Sequence, residues 1–266
     1  MSSEYTVTAV DRAVNVFECL ARNSQGLSLA ELSEETEIPK STLFRIMLTL
    51  ADRNCVVQDD QKTYQLGLKL WELGSAFLGQ SDLQEDASTH MQHLADVCEE
   101  SVFLSVLDGE EVVYVRRMES PKSAVVVRKL GQRAPIYCTA TGLAMLAFLP
   151  EAEINRTLDS IDLESINEST TTDRTELRRK LESIRENRVA VVDGEYNPAL
   201  LCVSSPILDE EGRPIAAFTA ALLSAQTSEE RVETVKSQVS EAAEELSRKR
   251  GYLGDYSPVD SSLATR

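Results

Sequence analysis

Little in this 266-residue chain suits catalysis or metal binding. Its only histidines are His90 and His93, and its five cysteines stand at positions 19, 55, 98, 138 and 202 with no CxxC pair. An odd number of widely spaced cysteines argues against a disulfide framework. His90 and His93 lie three apart on a predicted helix, a weak zinc signal without further ligands at metal spacing, and a polar helix surface accounts for them as well. Both lie far along the chain from Cys202, which speaks against a thiol hydrolase, and a Ser-His-Asp hydrolase meets the same objection. No Walker or Rossmann glycine pattern is present, so neither an enzyme nor a bound cofactor is expected. The chain also lacks a run of about 18 apolar residues that would cross a membrane. Its start, Met1-Ser2-Ser3-Glu4-Tyr5, has neither the basic residues nor the apolar stretch of a secretory signal. A cytoplasmic protein without membrane contact is the expectation.

Lysine is scarce too, at 8 residues against 19 arginines, and acids outnumber bases 44 to 27 for a net charge of -17. The acid is unevenly spread: residues 1–70 carry ten acids and seven bases, the remainder 34 and 20. An acidic, lysine-poor surface fits a protein working in concentrated salt, where self-repulsion is screened, and so a halophilic source. Hydrophobic content of 42% suffices for ordinary globular cores, and the length allows one large or two medium domains.

The N-terminal pattern is helical. Residues 6–22 place Val7, Val10, Val14, Phe17 and Leu20 at three-to-four spacing. Asn23-Ser24-Gln25-Gly26 is a turn signal. Ser28 then suits the N-cap of a second helix, with Glu31 at the capping-box position. Pro39 suits the start of a third helix over residues 40–53, with Leu43, Ile46, Met47 and Leu50 as its apolar stripe. Cys55–Gln58 and Thr63–Leu66 alternate around Asp59-Asp60-Gln61-Lys62 and read as a hairpin. Three helices and a hairpin are the order of a winged helix-turn-helix, over residues 5–66. Such a unit sets its second helix of the pair in the DNA major groove. Lys40, Ser41, Thr42 and Arg45 have the chemistry for bases and phosphates there, with Ser28 beside them and Lys62 and Tyr64 reaching a flanking backbone. The plainer alternative is a small helical domain whose polar groups face water. A helix over residues 67–80 follows as a linker, and its Leu68, Leu70, Trp71, Leu73 and Phe77 suit packing within the chain or against a second copy.

From residue 81 to 250 the character changes. A helix over 81–100 precedes strand-like runs at Val102–Leu107, Val112–Met118 and Val125–Leu130. A Gly-Gln-Arg-Ala-Pro loop, a short apolar helix at 139–149 and a polar, helix-rich stretch at 151–187 come next. Strands resume at Val189–Val192, Leu200–Leu208 and Ile215–Leu223, and a charged helix covers 228–250. The class is α+β with an antiparallel sheet. The tail over 251–266 reads as disordered.

Three stretches together resemble the IclR family of bacterial and archaeal transcriptional regulators, over roughly residues 5–250. They are Leu29-Ala30-Glu31-Leu32 with the segment Lys40 to Leu50; Gly131-Gln132-Arg133-Ala134-Pro135 with Thr139 to Ala147; and Asp193-Gly194-Glu195 with Cys202-Val203-Ser204-Ser205-Pro206-Ile207. The resemblance, together with the acidic composition, points to a haloarchaeal source. It implies a GAF-like effector-binding domain with a central antiparallel sheet, and a homodimer or dimer of dimers on a palindromic operator, acting as a repressor or an activator. It implies a small organic effector, a carboxylate or an aromatic compound, contacted at the positions matching Thr139, Ala140, Thr141, Gly142, Asp193, Glu195, Cys202 and Thr219. Read from the residues alone, Cys202 serves equally as a buried core thiol, and Asp193 and Glu195 as a solvated turn. Helix N-terminal N–H groups near residue 140 would suit an anion. The chain departs from the family pattern with Ala199 where glycine is frequent and Ala221 where serine is frequent, which leaves a second reading: a regulator whose vestigial sensor domain answers to protein partners and not to a metabolite.

Overall fold

The structure, a computed structural model, describes residues 6–79, 83–121 and 129–254; side chains are described from 86 onward after residue 74. It divides into two compact units, Met1–Asp82 and Leu83–Arg266, described separately below.

In the first unit, α1 (Thr8–Arg22) is followed by β1 (Leu27–Ser28), α2 (Leu29–Thr36), α3 (Lys40–Asp52), β2 (Val56–Gln58), β3 (Thr63–Leu66) and α4 (Leu68–Gly79). The predicted capping box forms: Ser28 Oγ accepts from Glu31 N at 3.3 Å, while Glu31 Oε2 accepts from Ser28 N at 2.8 Å. The hairpin is joined by a third strand too short to be legible as one, giving the order β1-β3-β2 with Leu27 opposite Tyr64. Val16, Cys19, Leu20, Leu32, Leu43, Met47 and Val56 close the core. This corrects part of the predicted face of α1: Leu20 is buried and Phe17 packs on the core as expected, but Val7, Val10 and Val14 are 64%, 61% and 48% exposed, and Val16 and Cys19 turn inward in their place. Leu68, Trp71 and Leu73 of α4 are exposed; Phe77 lies outside the described side chains.

The second unit runs α5 (Leu83–Cys98), β4 (Ser101–Asp108), β5 (Glu111–Met118), β6 (Arg133–Pro135), α6 (Ala140–Leu146), α7 (Glu151–Ser160), α8 (Arg174–Asn187), β7 (Ala190–Asp193), β8 (Leu200–Leu208), β9 (Pro214–Leu223) and α9 (Glu229–Lys249). Its sheet is antiparallel in the order β6-β5-β4-β9-β8-β7. One face is covered by α5 and α9 through Met91, Leu94, Val203, Phe218 and Val239, the other by α6, α7 and α8 through Leu143, Leu158, Leu177 and Leu181. Burial on both faces explains why β8 and β9 read as near-continuous apolar runs and not as alternating ones. The Gly-Gln-Arg-Ala-Pro loop contains the edge strand β6, and α6 ends at Leu146, short of the predicted 149. Most of the strand expected at Val125–Leu130 lies outside the described residues. The start of the supposed tail belongs to the fold: Tyr252 N donates to Ser247 O at 3.0 Å and its ring packs on the α5–α9 core, while residues 255–266 lie outside the described residues.

Candidate DNA-binding and effector-binding sites

In the first unit, α3 buries Leu43 and Met47 and leaves Lys40, Ser41 and Arg45 exposed, with Thr42 partly so. The predicted reading residues therefore occupy one open face of the helix. Thr42 and Arg45 border a groove of about 490 Å³ that α1 closes with Thr8, Ala9 and Arg12. Arg12 is a cation that the linear reading passed over, since only the packing of α1 on α3 sets it near Arg45. Lys62 is exposed at the hairpin tip with φ 66°, a left-handed turn position held by Lys62 N donating to Asp59 O. Tyr64 is a correction. It is 6% exposed and packs in the core, so its ring anchors the hairpin and does not stand free beside Lys62. Ser28 is partly exposed and already accepts the α2 capping bond.

In the second unit a cavity of about 30 Å³ lies between α6 and the sheet. Thr139, Ala140, Thr141, Glu195, Cys202 and Thr219 line it, six of the eight positions picked from the sequence. Thr139 caps α6: its Oγ1 accepts from Gly142 N at 3.2 Å and donates to Pro135 O at 2.9 Å. Thr141 Oγ1 lies 2.6 Å from Thr219 Oγ1, which donates to Ser204 Oγ at 2.8 Å. Cys202 and Thr219 come from β8 and β9, where alternation turns Cys202 and Ser204 to the α6 face while Leu201 and Val203 face α5 and α9.

The other two positions do not line the cavity. Gly142 serves packing: a Cβ there would lie 2.2 Å from the Ile136 carbonyl oxygen. Asp193 is exposed. Glu195 is no solvated turn residue. At 6% exposure its carboxylate binds Lys180 Nζ at 2.7 Å and accepts from Thr171 N at 3.0 Å, while its carbonyl accepts from Asn167 Nδ2 and Thr170 Oγ1. The stretch 167–171 is thereby fastened to the cavity wall. Sequence reasoning missed Lys180 and the lining residues Tyr114, Cys138, Val192, Tyr196, Asn197 and Leu200, because no spacing rule links them to the rest. His90 Nδ1 sits 3.3 Å from Glu245 Oε2, and no group of three or more metal-type side chains gathers among the described residues. Among those residues no helix is long and apolar enough to cross a membrane.

Comparison with known proteins covers both units. The model of the C-terminal domain of bacterial IclR transcriptional regulators matches residues 75–248, and that of the IclR helix-turn-helix domain matches residues 9–60. The HTH-type transcriptional regulator XynR of Escherichia coli (strain K12) is 28% identical over 247 residues, 92% of this chain and 98% of its own. The HTH-type transcriptional regulator KdgR of the same organism is 28% identical over 248 residues, 93% of this chain and 94% of its own. The crystal structure of the Thermotoga maritima IclR superposes with a TM-score of 0.81 at 31% identity, covering 93% of this chain and all of that one. These relatives are transcriptional regulators and not enzymes. The chain belongs to the IclR family, as a DNA-binding transcriptional regulator with a helix-turn-helix unit and a C-terminal effector-binding domain.

Proposed function

We propose that this regulator reads a palindromic operator as a homodimer or dimer of dimers, and that a small organic effector in the C-terminal cavity controls that binding. Lys40, Ser41, Thr42 and Arg45 enter the major groove, with Ser28 beside them and Lys62 on the flanking backbone. The effector is a carboxylate or an aromatic compound, held in a GAF-like domain. The observation that carries this reading is that Thr139 to Thr141, Glu195, Cys202 and Thr219, from four separate stretches of chain, line one cavity. Its volume of about 30 Å³ is that of one water molecule, whereas a benzene-sized ligand needs about 150 Å³. An effector therefore selects an expanded state, and the difference between the two states is what biases operator binding. The apolar side chains exposed on α4 suit self-association or relay of that change. The acid excess suits a halophilic, haloarchaeal, cytoplasmic setting.

The one-water volume, together with Ala221, also favours the second reading, a vestigial sensor that answers to protein partners. Operator titration by fluorescence anisotropy, with and without a panel of carboxylates and aromatics, separates the two, alongside the ligand-dependent melting shift. A compound that shifts both supports the first reading; silence across the panel supports the second. Arg45→Ala should weaken operator binding about tenfold to a hundredfold with the fold intact, the discrimination expected of one bidentate base contact. Unchanged operator affinity removes Arg45 from the reading set.

A further inference from the structure

Helix α3 turns more than polar side chains to the outside. Its buried side is Leu43 and Met47. A second side, Thr42, Ile46, Thr49 and Leu50 with Arg45 at its edge, lines the groove that α1 closes. Residues three and four apart are neighbours on a helix surface. Ser41, Phe44, Arg45 and Leu48 therefore form one outward ridge, and all four are exposed. Two of them are large and apolar: Phe44 is 46% and Leu48 50% exposed. Among the described residues, neither joins the core of this unit or lines its groove.

A phenyl ring left in water forgoes the gain of burial, and this one is continuous with the polar ridge of the helix-turn-helix region that the family model matches. The major groove offers it a partner. Thymine carries a C5-methyl on its base edge there, and phenylalanine is among the side chains that contact it. Phe44 stands in the second turn of α3, close to the N-terminal end that reaches base edges. Leu48 follows one turn on, its Cβ about 5–6 Å away, near enough to shield the same contact from water. Charge argues in the same direction. Residues 1–70 carry ten acids against seven bases, which leaves little general attraction to phosphate. An apolar contact releases no counterions, so it persists at salt concentrations that weaken phosphate contacts.

We infer that Phe44, with Leu48 closing the contact from one side, reads a thymine methyl group in the major groove, so that each operator half-site sets a thymine beside the base pair met by Arg45. The inference rests on the operator-binding reading above and deepens it, because it assigns base preference to an apolar side chain as well as to hydrogen bonds. Burying one methyl is worth about fourfold in affinity. On a palindromic operator the contact occurs once in each half, which makes roughly fifteenfold for the symmetric pair.

The test uses the full chain and a duplex that it selects from a randomised pool, with binding read by fluorescence anisotropy. Deoxyuridine, which differs from thymidine in lacking the C5-methyl, replaces thymine at one symmetric pair of positions at a time. At the pair facing Phe44 the replacement should weaken binding roughly fifteenfold. Phe44→Ala, a change at an exposed position, should then bind the thymine and deoxyuridine duplexes of that pair with equal affinity, and its melting temperature checks the fold. If Phe44→Ala does not fold, the deoxyuridine scan of the unmodified chain decides alone. No thymine pair sensitive to the replacement, or a preference unchanged in Phe44→Ala, overturns the inference; if Arg45→Ala still weakens binding, the operator reading stands without it. A Phe44→Ala chain that changes its oligomeric state in sedimentation yet keeps the thymine preference gives the apolar ridge to a second copy, and also overturns the inference. A pool that yields no bound duplex overturns the operator reading and this inference with it.

Discussion

Replacing Gly142 with alanine sets two effects of opposite sign against each other. Alanine favours a helix over glycine by about 1 kcal/mol, which alone would stabilise α6. The added Cβ, however, would lie 2.2 Å from the Ile136 carbonyl oxygen and 2.6 Å from its Cα. Both are backbone atoms, and Ile136 is 1% exposed with its N–H bonded to Glu110 O at 3.1 Å, so the segment has no free side chain to swing aside. Ordinary contact demands a shift of more than 1 Å, which also strains the Gly142 N–H bond to Thr139. Overpacking of this kind costs about 1–3 kcal/mol, and the strained bond adds about 1 kcal/mol. After the helix gain is subtracted, a destabilisation of about 1–3 kcal/mol remains. For a unit of this size that lowers the melting temperature by roughly 2–12 °C. Scanning calorimetry of the full chain reads it in the transition of the C-terminal unit. An unchanged or raised transition would refute the close approach of α6 to residue 136 and with it the packing that sets the Thr139–Thr141 turn.

Three further predictions follow from separate features. Ser28→Ala removes the acceptor for Glu31 N and should cost about 1 kcal/mol, or about 4–8 °C in the N-terminal unit's transition; Ser28→Asp should retain most of it, and an unaffected alanine variant would show that the capping box carries no stability. Burial pushes the Cys98 thiol up to about 11 from an ordinary value of 9, so above pH 9 the unfolded chain loses its proton first. Stability from this group is full below pH 9 and falls as pH rises toward 11, by up to about 2–3 kcal/mol; urea midpoints across that window should drop less steeply in Cys98→Ala, and equal slopes would refute the assignment. With a net charge of -17, the melting temperature should rise between about 0.2 and 2 M KCl as repulsion is screened; a flat or falling curve would remove the support for a high-salt setting.

What the sequence made legible is local. The Ser28–Glu31 box, the hairpin around Asp59 to Lys62 and the apolar stripe of α3 are each written within a few residues of themselves, and each formed. Where two local patterns competed, the partner decided. Helix α1 offers Val10, Val14, Phe17 and Leu20 at helical spacing and Val16 and Cys19 beside them, and only α2, α3 and the sheet determine that Val16, Cys19 and Leu20 are buried while Val10 and Val14 stay out. Tyr64 read as polar-tipped and exposed because its partner Leu27 sits in a two-residue strand that no periodicity can reveal. In the second unit, motif positions located the cavity but not its chemistry. That Glu195 is paired with Lys180, that Gly142 is a spacer and that Asp193 faces water all depend on contacts between residues distant in the chain.

The sheet order has a further consequence for how the molecule is made. Its middle is the β4–β9 ladder, which sets Ser101 opposite Ala221, and Thr219 reaches the cavity only through that ladder. At about 5–20 residues per second of synthesis, the partner of β4 arrives roughly 6–24 s after β4 itself. Throughout that interval the β4–β5 hairpin presents a bare edge, a template for mispairing. The helix-turn-helix unit, complete within the first 82 residues, has no such wait. Each nascent chain can therefore hold a finished helix-turn-helix unit before its effector-binding domain closes, and C-terminal truncation between β5 and β9 should yield a headpiece joined to an aggregation-prone half sheet.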